Sequence, residues 1–346
     1  MNNIEEFLAL AAPGRYDFSN DGASEAYNML DGFQNTYEKF FIYMSESARS
    51  LAEYENGKAG VMAYGAKYKD ECKSKFGMTP DPDSESNLLQ LIYKKLWCDK
   101  NLEPCKKDDK KIQGETMNSA NTTLGRLYEE RIETLEQQNE RNAIKAVKVQ
   151  TQGISIAYII SRYAEEKSEQ KQEYDKIRGL KCFLSVYHTL GNFIPVPKGC
   201  NGPRGIGPLK DYWDLTLKII YEYYDCEKDE IMDDIVGKEP KCEKLHIEWL
   251  ERKKLYKEWL DSFKDGDMAK GNWQCFVEKN YLQDFVNQNA DGSYGMPKEL
   301  WQGHFKGYDA SGTALPDSIE QIEQFYCNAS CFITARSTRM LECLNK

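Results

Sequence analysis

Residues 187–215, YHTLGNFIPVPKGCNGPRGIGPLKDYWDL, carry five glycines and four prolines. No helix runs through such a stretch. Each proline removes a backbone donor, fixes φ and restricts the residue before it, and each glycine adds an entropic cost to any regular element. The flanking stretches, 177–188 and 211–224, nevertheless repeat apolar residues at helical spacing. The chain is therefore expected to be helical and to be interrupted near its middle by a constrained, turn-rich segment.

The rest of the chain follows the same period. Residues 22–56 place Tyr27, Leu30, Phe33, Tyr37, Phe40 and Phe41 on one helical face. Residues 81–97 begin with Asp83 and Ser84, side chains that accept from free helix-end amides, and continue with a Leu88, Leu91, Ile92, Leu96 stripe. Residues 122–149 form a long amphipathic pattern with Leu124, Leu127, Tyr128, Ile132 and Leu135 inward, followed by a helix over 151–175. Trp213, Leu217, Ile220 and Tyr224 share a face after the central segment, as do Trp249, Tyr256, Trp259 and Phe263 in 245–263. Two short helical pieces follow Gly266, residues 292–316 read as irregular, and the last helices span about 317–342. Residues 98–119 read as a charged surface loop. Alternation is rare, and FIPV (193–196) is the one candidate strand.

The expected fold is mainly α, a multi-helix globular protein with at most a few short strands. Three regions are expected: an N-terminal helical region (1–70), a helical core with the Gly/Pro segment (71–226), and a C-terminal helical region (227–346) that can form one compact domain with the core.

Aromatic residues make up 12% of the chain despite a mean hydropathy of -0.71, which places it among folded proteins with a wet surface. The net charge of -10 argues against an extensive nucleic-acid surface, because phosphate neutralisation needs clustered lysine and arginine. The first residues lack a basic region and a long apolar run, and ISIAYII (154–160) is too short to span a bilayer. A cytoplasmic location without membrane contact is expected. The eleven cysteines include no C-x-x-C pair, so they read as reduced, packed thiols. Cys327 and Cys331 lie one helical turn apart but lack a third and fourth ligand, and neither metal nor cofactor is expected.

Catalytic motifs are absent: no P-loop, no G-x-S-x-G and no H-E-x-x-H. Asn287, Asn289, Asp291 and Gly292 open like a calcium loop, but Lys298 stands where the bidentate glutamate belongs, so the stretch reads as a turn. The carboxylate pairs Asp81/Asp83, Asp233/Asp234 and Asp265/Asp267 all sit where aspartate caps turns or helices. His246 and His304 lie in aromatic surroundings and read as packed rings. His188 borders the Gly/Pro segment, where a titratable ring can reach a ligand. In KGCNGPRGIGPLKD (198–211) the glycines can expose amides to an anion, and Arg204 offers a planar fork to phosphate or carboxylate. Asp211 opposes an anion there unless it caps the following helix.

Three blocks of the sequence, HTLGNFIPVP with NGPRG, KDYWDLTL, and GETMNSANTT (114–123), with DPDS and KKLW in 81–97, resemble a family of uncharacterised bacterial proteins of the gut Firmicutes type. The resemblance covers about 80–225 in patches. It implies no activity, but it groups Asn118, Ser119, His188, Asn192, Asn201, Arg204, Asp211 and Asp214 as candidate ligand-binding residues. The G-N-F core is also similar to the G-N-L segment of HNH-type nucleases. That fold needs a histidine upstream, and none precedes His188.

The leading expectation is a polar site around Arg204 for a small anionic or nucleotide-type ligand, in a protein of phage-defence or mobile-element context. The alternatives are a non-catalytic interaction module, with the acidic faces of 122–175 meeting a partner protein, and a divergent HNH-like nuclease. No catalytic residue is assignable.

Overall fold

The computed structural model describes residues 87–108, 111–118, 183, 190–200, 212–226, 233–267, 271–307, 315–316 and 318–344. Apart from Phe183, the helices expected over 22–56, 122–149, 151–175 and 177–188 lie outside these residues. The helices here are α1 (Asn87–Leu96), α2 (Asp99–Leu102), α3 (Trp213–Cys226), α4 (Asp233–Val236), α5 (Glu243–Asp261), α6 (Trp273–Lys279), α7 (His304–Gly307) and α8 (Ile319–Leu344). The strands are β1 (Lys106–Asp108), β2 (Lys111–Ile112), β3 (Gly114–Thr116), β4 (Phe193–Pro195), β5 (Val286–Gln288) and β6 (Tyr294–Pro297), paired as three antiparallel two-stranded ribbons, β1–β2, β3–β4 and β5–β6. The described part is thus mainly α with short strands. None of its helices is long and apolar enough to cross a membrane.

The C-terminal helices expected over 317–342 are one continuous helix, α8. Its start is set by Ser318, whose Oγ accepts from Gln321 N at 3.3 Å. Its buried face runs Ile322, Phe325, Tyr326, Ala329, Ile333, Arg336, Met340 and Leu344, a three-and-four spacing in which one position is a cation. α5 buries Trp249, Tyr256, Trp259 and Leu260, while Leu245, Ile247 and Leu250 near its start are exposed. Trp259 meets Phe263 and Phe276 edge to face at 5.8 and 5.4 Å. Each aromatic buried this fully contributes on the order of 2–3 kcal/mol. Residues from α1 to α8 belong to one hydrophobic core, so the chain on either side of residue 226 packs together.

Residues 98–119 depart from the expected surface loop. Leu102, Cys105, Ile112 and Met117 are in the core, and the stretch supplies three strands. β3 pairs with β4 in the register Gly114↔Pro195, Glu115↔Ile194 and Thr116↔Phe193, so the one expected strand finds its partner here. The calcium-like stretch is the turn of the β5–β6 hairpin, where Asp291 Oδ1 accepts from Ser293 N at 3.0 Å.

Candidate functional site

The described half of the Gly/Pro segment is held chiefly by α8. Gly191 lies directly on the helix: a Cβ there would fall 2.0 Å from Ile333 O and 2.4 Å from Ser337 Oγ. Only glycine permits that approach. Ser337 Oγ accepts from Gly191 N at 2.7 Å. Arg336 Nη1 donates to Gly191 O at 2.7 Å and to Phe193 O at 2.8 Å, and its Nε donates to Asn280 O at 2.9 Å.

Arg336 is fully buried and meets no carboxylate among the described residues. Burial pushes its guanidinium down to about 9, against the opposing pull of the Tyr93 and Tyr281 hydroxyls. It remains charged at neutral pH, solvated by backbone carbonyls in place of water, which is how a buried cation without a counter-ion is tolerated. Its Nη2 has no partner among the described residues.

Two candidate ligand residues are brought together by this arrangement. Asn192 Oδ1 accepts from Asn118 N, and Asn192 Nδ2 donates to Asn118 O, both at 3.0 Å. With Met117 N donating to Asn192 O at 2.7 Å, the amide extends the β3–β4 ladder by one side-chain rung. Both asparagines are fully buried, and the side-chain atoms of Asn118 have no partner among the described residues. The Asn192 amide thus bridges the Asn118 backbone with both of its ends.

Asp214 is engaged at the other end of the segment. In the first turn of α3, its Oδ1 accepts from Leu215 N and its Oδ2 from Leu300 N, each at 2.9 Å. Oδ2 also meets His304 Nδ1 at 2.5 Å. The position suits a carboxylate, since helix-start amides favour negative charge. His304 is a packed ring, as expected, stacked on Trp301 at 3.4 Å and edge-on to Tyr212 at 5.0 Å. Its Nε2 is buried without a partner among the described residues. An Asp–His pair of this kind fixes the tautomer and ring orientation, and so ties the start of α3 to α7. His246 is half-buried against Trp249, with Nδ1 at 3.0 Å from Glu239.

Between these anchored ends lies a tight turn, in which Cys200 N donates to Pro197 O at 3.3 Å and Gly199 takes φ +82°. Lys198 and Gly199 are exposed on it, whereas Cys200 is buried. Arg252 of α5 packs against the turn. The candidates Ser119, His188, Asn201, Arg204 and Asp211 lie outside the described residues.

Elsewhere, a groove of about 540 Å³ is lined by residues that include Asp99, Lys100, Glu103, Glu258 and Asp261. Among the described residues no three His, Cys, Asp or Glu side chains are grouped to hold a metal ion. Arg336 is the functional-segment contact with the least obvious local signal. Its place in the apolar stripe of α8, every third or fourth residue, is the cue that marks it as buried. His304 and Asp214 lie 90 residues apart, and no sequence spacing links them. No protein-family model, curated protein or solved structure matches the chain.

Proposed function

We propose that this is a ligand-binding protein that takes an anionic, phosphate- or nucleotide-type ligand at the 187–215 segment, with Arg204 as the principal cation. The observation that supports the reading is how the chain enters and leaves residues 201–211. Cys200 is 3% exposed and Tyr212 fully buried, so both boundaries of that stretch are core residues. A segment tethered at two fixed ends loses less conformational entropy on binding, which is what a preorganised site requires. The stretch carries the chemistry for an anion: Gly202, Gly205 and Gly207 to bare backbone amides, and the Arg204 fork.

Asn192, Asn118 and Asp214 belong, in this reading, to the frame rather than to the ligand. The test is thermal unfolding of the full chain with inorganic phosphate, pyrophosphate and ATP. A ligand at a hundredfold excess over its Kd adds about 2.7 kcal/mol to the folded state. Stabilisation by a phosphate compound, lost in Arg204→Ala, is the expected result. No shift with any of the three at millimolar concentration overturns the reading.

A further inference from the structure

Four large apolar side chains are exposed among the described residues, and three of them, Leu245, Ile247 and Leu250, fall within two turns at the start of α5. Scattered exposed apolar residues are ordinary, whereas a group on one short surface marks a place of contact. Ile247 is 53% exposed and Leu250 47%. At about 100° per residue, these two share one side of α5 with Glu243 and Lys254, within an arc of roughly 60°. The buried residues of α5, Trp249, Tyr256, Trp259 and Leu260, lie on the other side, so the stripe faces away from the core. Leu245 falls on the side of the buried residues and takes no part in it.

Along the stripe the order is Glu243, Ile247, Leu250, Lys254, in steps of four, three and four residues. That is the spacing of an a/d seam, along which one helix packs on another. The seam is apolar at its centre, and its two ends carry opposite charges. A parallel copy would set Glu243 against Glu243 and Lys254 against Lys254. In an antiparallel copy, a positions meet d positions, which sets Ile247 against Leu250 and Glu243 against Lys254. The flanking residues agree, since Lys244 of one copy then faces Glu251 of the other. All four charged residues are exposed. Lys254 lies 3.8 Å from Glu258 in its own helix, a surface pairing that costs little to exchange.

We propose that α5 is a self-association face, on which two copies of this chain pair antiparallel over residues 243–254. The two-fold axis passes between Glu248 and Trp249. The occupant is a second copy because the seam is complementary to its own reverse, which is what an isologous contact requires. The pairing is about 17 Å long, from a rise of about 1.5 Å per residue. Such a contact is smaller than a standard interface, so the dimer is reversible, with a Kd on the order of 0.1 mM. The inference is independent of the anion-binding reading.

The experiment is sedimentation equilibrium of the full chain from about 1 μM to 1 mM, a range that spans that Kd. It compares wild type with Glu243→Lys, Lys254→Glu, the double variant and Ile247→Asp. Wild type is expected to pass from monomer to dimer as concentration rises. Each single reversal sets like charges together at both ends and is expected to weaken the dimer about tenfold or more. The double variant restores opposite charges and is expected to regain the wild-type Kd. An equimolar mixture of the two single variants is expected to associate as well, because position 243 of each then meets the opposite sign at 254 of the other. Loss of helix stability alone would not be repaired by a second reversal or by mixing. Ile247→Asp is expected to abolish the dimer. Wild type monomeric throughout overturns the proposal and leaves the face to a different partner. A dimer indifferent to the reversals and to Ile247→Asp, or assembly beyond a dimer, also overturns it. If Ile247→Asp fails to fold, the charge reversals decide.

Discussion

Asn192 spans the backbone of Asn118 with both ends of its amide, accepting from the N–H and donating to the carbonyl at 3.0 Å each. Both residues are in the core, so neither half of this exchange is replaceable by water. Asn192→Ala leaves a buried donor and acceptor unmatched and is expected to cost about 2–4 kcal/mol. Asn192→Asp keeps the acceptor but turns a carboxylate oxygen toward Asn118 O, and is expected to be worse than alanine. Urea unfolding midpoints of the two variants test the order.

Gly191→Ala meets backbone rather than flexible side chain, since the new methyl would lie 2.0 Å from Ile333 O. The β4 segment and α8 must part to accept it. Loss of more than about 3 kcal/mol, or of soluble protein, is expected. A near-wild-type midpoint contradicts the close approach of these two elements.

Arg336 holds three carbonyls at once, those of Asn280, Gly191 and Phe193. Arg336→Met fills the volume but abandons all three, and is expected to cost about 3–5 kcal/mol, in the range of a broken buried charge network. Arg336→Lys keeps the charge but lacks the fork that serves Nη1 and Nε together, so it is expected to rescue only part of the loss. Equal midpoints for the lysine and wild-type proteins contradict the account of this clasp.

The sequence made a good part of this frame readable. The stripes of α3 and α5 appear as apolar residues at helical spacing, and all of Trp249, Tyr256, Trp259 and Phe263 are buried as read. FIPV reads as a strand because residues before prolines and β-branched residues favour extended backbone. Its partner does not. β3 lies in a lysine-rich stretch, only three residues long, and meets β4 across more than seventy residues of chain. Short strands with charged neighbours leave no alternation to detect. The site divides the same way: the resembling blocks group Asn118, Asn192 and Asp214, but the Asn192–Asn118 bridge and the Leu300 amide and His304 partners of Asp214 are long-range facts of packing.

Asp214 and His304 give a pairwise prediction. Asp214→Asn, His304→Gln and the double variant form a cycle in which the two single costs are expected to overlap by about 1–3 kcal/mol, because each change breaks the same 2.5 Å contact. Strict additivity in thermal or urea unfolding contradicts the pairing.

Tyr281 supplies a pH dependence. Burial, followed by the proximity of Cys343, pushes its hydroxyl up from 10.0 to about 12, and that hydroxyl donates to Leu96 O at 3.2 Å. Below pH 10 the group is protonated in the folded and unfolded chain, and the bond contributes in full. Between pH 10 and 12 the unfolded chain ionises first, so the stability associated with this group falls as pH rises. Tyr281→Phe is expected to cost about 1 kcal/mol at pH 8. The gap between it and wild type should narrow as pH is raised from 10 to 12. A gap that is constant or widens across that window contradicts the assignment.

The division of the 187–215 segment into a fixed frame and a ligand-bearing stretch is tested most directly by amide hydrogen exchange on the full chain, with and without saturating pyrophosphate. The account predicts that the amides of Gly191, Asn118 and Val196 exchange only through global unfolding in both conditions, and that ligand-dependent protection is confined to about residues 197–211. Rapid exchange at Gly191 and Asn118, or protection by pyrophosphate that bypasses residues 197–211, would contradict it.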